Sequence, residues 1–415
     1  MKKSITILTV LTLLMLAACQ IVAPSPTAEP SPTSIPPTEV PAATAQPTLA
    51  ATAAAPSAAP TEAPVSAEKV EVKYAQNFSL EYKEGYKLLT VKTAESPKLA
   101  QYALVEKGSK PQISEEGAIV IETPIEKIIT LSSTYYPALE QIGKLESIAA
   151  IDDATYTYNE KIRAGVEAGK IATIGDGFVS KINIEKIIEL DPDLVMVPYM
   201  SASNLDEAKM KEAKITTVLN ADYLENSPLG RAEWTKFIAA FYNLEAEAAK
   251  AFEQTVARYE EAKGLAAKVE KPVTVFVNTA YQGTWYMPGK ESYLAELFKD
   301  AGALYIFADT VEGTGSSPLA FEVVYEKAKD ADYWLNTGFA PDLKGLIAED
   351  ARYAEFKALK ENHVFNNNAR MNANGGTDYY ESGVVNPDVV LKDLIKIFYS
   401  QFLPDYELFY YQQVK

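Results

Sequence analysis

The chain has 415 residues, 23% of them charged, and a formal charge of −17 at pH 7 from 39 basic and 56 acidic side chains. That balance argues against nucleic acid and anionic lipid surfaces as partners, since both are polyanions. A single cysteine and a single histidine, Cys19 and His363, exclude a disulfide framework, a cysteine zinc site and a multi-histidine metal site, and leave a Ser-His-Asp hydrolase almost nothing to use.

Residues 1–18 read as an export signal. Lys2 and Lys3 give a positive start, and Ile5 to Met15 is an apolar run too short to span a bilayer as a mature helix. Leu16-Ala17-Ala18-Cys19 closes it and resembles the lipobox of bacterial lipoproteins, in which the cysteine sulfur carries a diacylglycerol. The resemblance implies lipidation at Cys19 and attachment to the outer face of the bacterial cytoplasmic membrane, at the cell surface or in the periplasm. Without Lys2 and Lys3 the balance shifts from 39 to 37 basic residues against the same 56 acidic ones. Residues 19–68 are then expected to form a disordered tether. From Gln20 to about Ala67 the chain is almost all Ala, Pro, Thr and Ser without an aromatic residue, so it cannot bury enough apolar surface to offset its ordering entropy. Extended polyproline II at ~3.1 Å per residue gives such a spacer a reach on the order of 100–150 Å.

The next segment opens as antiparallel strands, Val70–Tyr74 and Tyr86–Val91, with a turn at Glu84-Gly85. From Ile128 strands alternate with helices. Ile128–Leu131 and Ser147–Ile151 flank a helix from Pro137 to Ile142, a unit that builds parallel sheet. Ile171–Gly177 reads as a loop, Ile184–Leu190 as a helix stopped by Pro192, and Leu194–Val197 and Ile215–Leu219 as strands. Gly230 to Lys268 is helical, with one long helix from Glu245 through Ala267. After Pro272 the rhythm restarts. Val273–Val277 reads as a strand, Asn278–Pro288 as a loop, Ser292–Ala301 as a capped helix, Tyr305–Phe307 and Tyr333–Leu335 as strands, and Pro387–Tyr399 as a closing helix. The expected fold is α/β: two α/β lobes with mostly parallel central sheets, residues 69–240 and 271–415, joined by a long helix at 241–270.

No G-x-S-x-G, Walker A or G-x-G-x-x-G sequence occurs, so the ordinary catalytic vocabulary is missing and an enzyme is not expected. The lobes carry an internal echo instead. Asn183 to Val195 and Ala320 to Trp334 both run from a glutamate-bearing helix through an aspartate-ended turn into an apolar strand. These pieces, with Trp285-Tyr286-Met287-Pro288-Gly289-Lys290-Glu291-Ser292 and the lipobox, give a chain that resembles the ferric-siderophore and cobalamin binding lipoproteins of ABC importers over roughly Ile125 to Phe402.

That resemblance implies the class III periplasmic-binding-protein architecture, with a rigid interlobe helix and a monomeric protein. It also implies importer permease and ATPase subunits as partners. In that family a surface glutamate on each lobe docks onto the membrane subunits; by position these are Glu185 and, in the second lobe, Glu322 or Glu326. Ala320 stands where the family has serine, and Glu322 lies two residues further from Asp332 than Glu185 does from Asp193.

Ligands of α/β lobes meet the loops at the carboxyl ends of the strands. Those loops supply Ser133, Thr134, Tyr135, Tyr136, Tyr156, Tyr158 and Tyr199 from the first lobe, and Asn278, Tyr281, Trp285, Tyr286, Asn336, Arg370 and Tyr379 from the second. Aromatic faces with amide and hydroxyl groups suit a bulky, partly apolar ligand, and Arg370 is placed to pair with an anionic chelate. No resident cofactor or metal is expected. The cargo expected from the resemblance is a ferric siderophore, with cobalamin or haem as alternatives. A sensing module that keeps the cleft without transport is the competing reading.

Overall fold

The computed structural model describes residues 69–415 apart from 178, 180, 200–204, 206 and 339. The export signal, Cys19, the tether and the loop residue Met200 therefore lie outside the described residues.

The described chain opens with a four-stranded sheet in the order β1 (Phe78–Lys83), β2 (Tyr86–Val91), β3 (Ala100–Glu106), β4 (Ile119–Thr123). The first three strands are antiparallel, and β4 runs parallel to β3. The strand expected at Val70–Tyr74 does not form; β2 pairs with β1 across the Glu84-Gly85 turn instead. The donors of the earlier segment go to two carboxylates. The backbone N–H groups of Lys73, Tyr74 and Ala75 donate to Glu233 at 2.6–3.1 Å, and those of Gln76 and Asn77 to Glu225 at 2.9–3.1 Å. With its N–H groups taken by side chains, the alternating pattern of 70–74 has no ladder to join.

The first lobe is built on β5 (Ile128–Thr130), β6 (Ile148–Ile151), β7 (Ala172–Thr173), β8 (Leu194–Pro198) and β9 (Thr217–Asn220). All pairs are parallel, in the order β7-β6-β5-β8-β9. The segment read as a loop at 171–177 thus contains a two-residue edge strand. Sequence order reverses across β5, which opens the crevice where ligands sit in such sheets.

The second lobe follows with β10 (Thr274–Val277), β11 (Ala280–Tyr281), β12 (Thr284–Pro288), β13 (Leu304–Tyr305), β14 (Ser316–Ala320), β15 (Tyr333–Leu335), β16 (Val364–Asn366) and β17 (Gln412–Gln413). Its central sheet has the order β13-β10-β15-β16-β17, parallel except for β17. The region read as a loop at 278–288 folds as the β11–β12 hairpin, and β14 adds to it. Gln282 and Gly283, both with positive φ, make the two-residue turn.

That hairpin corrects one site assignment. Along β12, Trp285 and Met287 point inward and Tyr286 outward, the period of two of a half-buried strand. Trp285 is fully buried, its indole Nε1 donating to Val277 O at 2.9 Å, so it is core and offers no face to a ligand.

The lobes are joined by a 22-residue helix, Glu245–Ala266, about 30 Å long. Its buried positions Ala248, Phe252, Thr255, Tyr259, Ala262 and Ala266 recur every three to four residues, and most of them enter the second-lobe core. Three polar contacts fasten the same helix to that lobe. Tyr259 Oη donates to Asp300 at 2.8 Å, Lys263 pairs with Asp300 at 2.7 Å, and Arg258 pairs with Asp388 at 2.6 Å.

Candidate functional site

The second lobe brings three asparagine-ended strands to one rim. β10 ends at Asn278 and β15 at Asn336, both in the left-handed region at φ 66° and 58°. Asparagine tolerates that conformation better than most residues, so the chain can turn sharply off each strand and keep a polar side chain there. Asn278 Nδ2 donates to Tyr286 O at 2.8 Å, fixing the hairpin against the strand end. β16 ends at Asn366, whose amide bonds Gly338 O, and Asn367 and Asn368 continue the rim.

A cavity of about 330 Å³ lies over this rim, lined by Asn278, Thr279, Tyr281, Tyr286, Asn336, Gly338, Asn367, Asn368, Gly375, Thr377 and Tyr380. Four of the sequence candidates, Asn278, Tyr281, Asn336 and Tyr286, come together here. Tyr281, Tyr286 and Tyr380 present exposed rings. Asn336 Oδ1 and Thr377 Oγ1 are buried without a hydrogen-bond partner. Thr377 and Tyr380 were not singled out from the sequence. Only the return of the 367–380 loop, closed by a bridge between Met371 and Thr377, sets them opposite the hairpin.

Arg370 is not on this rim. Its Nε donates to Asp378 at 2.6 Å, and its guanidinium lies over the rings of Phe409 and Tyr158 at 4.3 and 5.3 Å. The one strong cation expected for an anionic chelate is thus already paired with a carboxylate eight positions along its own loop. Tyr379 is buried edge-on against Tyr380, Tyr410 and Tyr411, and burial pushes its phenol well above the ordinary value.

In the first lobe, Ser132 caps the short turn after β5: its Oγ accepts from Thr134 N, while Ser133 and Thr134 stay half-buried. Tyr135 and Tyr136 are buried in the first-lobe core, which raises both phenols, so neither offers a ligand a free ring. Tyr199 packs half-buried against the same core, and Tyr156 is exposed. Asp152, after β6, accepts from Val179 N at 3.0 Å, and burial raises its carboxyl.

The two lobes meet beside the cavity. Tyr158 N and Asn159 N, after β6, donate to the Glu381 carboxyl of the second lobe at 2.7 and 2.8 Å. Asn372 Nδ2 reaches the other way, to Thr155 O and Thr157 O at 3.2 and 2.9 Å. Gly376, flanked by the cavity residues Gly375 and Thr377, lies so close to the first lobe that a Cβ would sit 1.8 Å from Tyr156 O. Burial pushes the Glu381 carboxyl up to about 7. This clasp was not legible in the sequence, because its members are 215 to 223 positions apart and only the packed chain makes them neighbours.

The candidate docking glutamates lie elsewhere. Glu185 is the exposed second residue of the helix Ile184–Leu190, and Glu322 the exposed second residue of the helix Phe321–Ala328. Arg352 lies 3.4 Å from Glu322, and Lys329 pairs with Glu326 at 2.7 Å.

The sequence profile described as "Periplasmic binding protein" matches residues 128–370, from the first residue of β5 to Arg370. An uncharacterized lipoprotein of Methanocaldococcus jannaschii is 33% identical over 291 residues, covering 68% of this chain and 67% of that one. Two solved structures share the fold. A possible iron-binding (periplasmic solute-binding) protein from Staphylococcus epidermidis superposes with a TM-score of 0.52 at 19% identity, over 67% of this chain and 100% of that one. An ABC transporter substrate-binding protein from Listeria monocytogenes gives 0.50 at 16% identity, over 66% and 99%. Proteins of this kind bind solutes outside the cytoplasm, are associated with ABC importers and are not enzymes. The chain belongs to the periplasmic binding protein family, with the class III arrangement of two α/β lobes joined by a long helix.

Proposed function

We propose that this protein is the lipid-tethered receptor of an ABC importer, capturing a ferric-siderophore-type chelate between its lobes and delivering it to the permease. The observation that carries the reading is the rim cavity of about 330 Å³, where exposed tyrosine rings and asparagine amides converge at the carboxyl ends of the second-lobe strands, facing solvent beside the first lobe. A cleft of that size and lining suits one face of a drug-sized or larger chelate. Cobalamin and haem are the alternative cargoes. The Staphylococcus epidermidis neighbour, a possible iron-binding protein, supports an iron chelate, and the Listeria neighbour, an ABC transporter substrate-binding protein, supports an importer.

Delivery calls for contacts on both lobes. Glu185 and Glu322 supply one exposed carboxylate each from the first turn of corresponding helices, and these are the proposed docking residues. Cys19 supplies the anchor, holding the receptor at high local concentration beside its permease.

Native mass spectrometry of the detergent-solubilised full chain from iron-starved cells tests the cargo. A bound ferric chelate supports the reading, and a corrinoid or haem moves it to that ligand. An empty protein, with no uptake defect on deletion, overturns it.

A further inference from the structure

The cavity on the second lobe is unusual in one respect for a chain with 95 charged residues out of 415: among the described residues, none that lines it is ionised. The cation of its own loop, Arg370, lies off this rim, paired with Asp378 and resting on two aromatic rings, with its side chain 38% exposed. The loops that follow β6 and β7 in the first lobe carry Asp152, Asp153 and Asp176 beside one lysine, Lys181. A fixed anionic group placed on this rim would lose water and gain no counter-charge, which is the costly way to bury a charge. The field of an acidic protein adds to its exclusion.

The rim does offer polar groups that await a partner. Thr377 is 6% exposed, lines the cavity, and its Oγ1 makes no hydrogen bond. Asn336 Oδ1 is buried without a donor. Buried hydroxyl and amide oxygens are ordinarily satisfied, so two left open in residues that line the cavity are what a ligand's own amide, hydroxyl or N–H groups would complete once a side-chain rotation turns them to the wall. The exposed rings of Tyr281, Tyr286 and Tyr380 add apolar faces with polar edges beside them.

We infer that the second-lobe half of the cleft recognises an uncharged ligand face rich in amide or hydroxyl groups, selecting electrically neutral metal chelates over anionic ones. The inference rests on the solute-receptor reading above and narrows it. A neutral ferric trihydroxamate or a neutral corrinoid fits the rim. A trianionic ferric tricatecholate, or haem with its two carboxylates, does not.

The test titrates the detergent-solubilised full chain with four probes, following quenching of its intrinsic fluorescence: a neutral ferric trihydroxamate, cyanocobalamin, a ferric tricatecholate and haemin. At least one neutral probe should bind about tenfold or more tighter than either anionic one, about the discrimination one unmatched hydrogen bond or charge confers. Anionic probes binding as tightly as the neutral ones overturn this inference alone. Binding of none of the four overturns the metal-chelate reading as well. Thr377→Val gives a second measurement with the best neutral probe. Affinity should fall about tenfold while the unfolding midpoint holds or rises, since the hydroxyl has no protein partner to lose. Unchanged affinity overturns the role assigned to Thr377 and with it the inference.

Discussion

Glu185 and Glu322 occupy the same place in corresponding helices, each the second residue after the N-cap position, where Asn183 accepts from Lys186 N in one helix and Ala320 makes no side-chain bond in the other. The correspondence continues past the helices. Asp193 accepts from the backbone N–H groups of Glu126 and Lys127 at 2.7 and 2.8 Å, just before β5. Asp332 accepts from Thr274 N at 2.8 Å, at the start of β10. Each aspartate therefore ties its own strand to the start of the neighbouring one in its lobe. Of the two extra residues between Glu322 and Asp332, one lengthens the helix, eight residues at Phe321–Ala328 against seven at Ile184–Leu190, and one lengthens the turn after it, so the insertion leaves the first turn in register. Glu326 sits a turn further on, where the first-lobe helix has Glu189, and each of these two pairs with a nearby lysine.

Substituting those heads should separate binding from delivery. Glu185→Ala and Glu322→Ala are expected to leave ligand affinity within about twofold and to lower uptake about tenfold or more each, the usual scale for a truncated charged contact. Glu326→Ala should do neither. Transport assays beside ligand titrations check this, and equal loss of affinity and uptake would sink the docking assignment.

The clasp residue Glu381 should set part of the pH dependence of stability. Its carboxyl is pushed from 4.5 up to about 7 by burial, so between those values the folded chain holds a proton that the unfolded chain has released. Stability from this group is therefore greatest in acid and falls as pH rises through that window, by at most about 3 kcal/mol. Glu381→Gln, which cannot ionise, should flatten the slope of unfolding free energy between about pH 5 and about pH 8. Parallel slopes for parent and variant would remove Glu381 from the account.

Glu233 is the anchor of the segment before β1. It is fully buried, accepts three backbone N–H groups and pairs with Lys236 at 2.6 Å. Glu233→Ala leaves those donors and a buried ammonium without it, and is expected to cost about 3–5 kcal/mol of stability. Urea unfolding measures it; a loss under about 1 kcal/mol would mean that water replaces the carboxylate easily.

Cys19→Ala is expected to leave ligand binding unchanged and to release the protein from membranes. Fractionation decides the point: a variant that stays with the membrane would falsify lipidation at Cys19 as the anchor.

Much of the secondary structure was legible because its signals are local. The long helix expected at Glu245–Ala267 spans Glu245–Ala266, and the helix at Ile184–Leu190 falls as read, because apolar spacing, caps and Pro192 are all within a few residues. Asn278, Tyr281, Tyr286 and Asn336 could be named because strand ends point to the ligand side in α/β sheets. Trp285 was misread although its neighbours held the answer: an alternating stretch, Thr284 to Pro288, that pairs as a strand must turn one of two adjacent aromatics inward. Val70–Tyr74 failed for the opposite reason, since nothing nearby announces that carboxylates about 150 positions on will take its donors.

The sequence by itself determined the α/β alternation, the two-lobe order with its bridging helix, and the absence of the histidine and cysteine chemistry that most catalytic or metal sites require. Those follow from periodicity, turn residues and composition, which act over a few residues or over the whole chain. Tertiary structure alone decided that Arg370 pairs with Asp378, that Thr377 and Asn336 line a cavity and hold buried oxygens without partners, and that Glu381 and Asn372 clasp the lobes beside it. Charge pairing and hydrogen-bond satisfaction depend on which distant groups come within about 3 Å of each other. That is a property of the packed chain, and no local pattern encodes it.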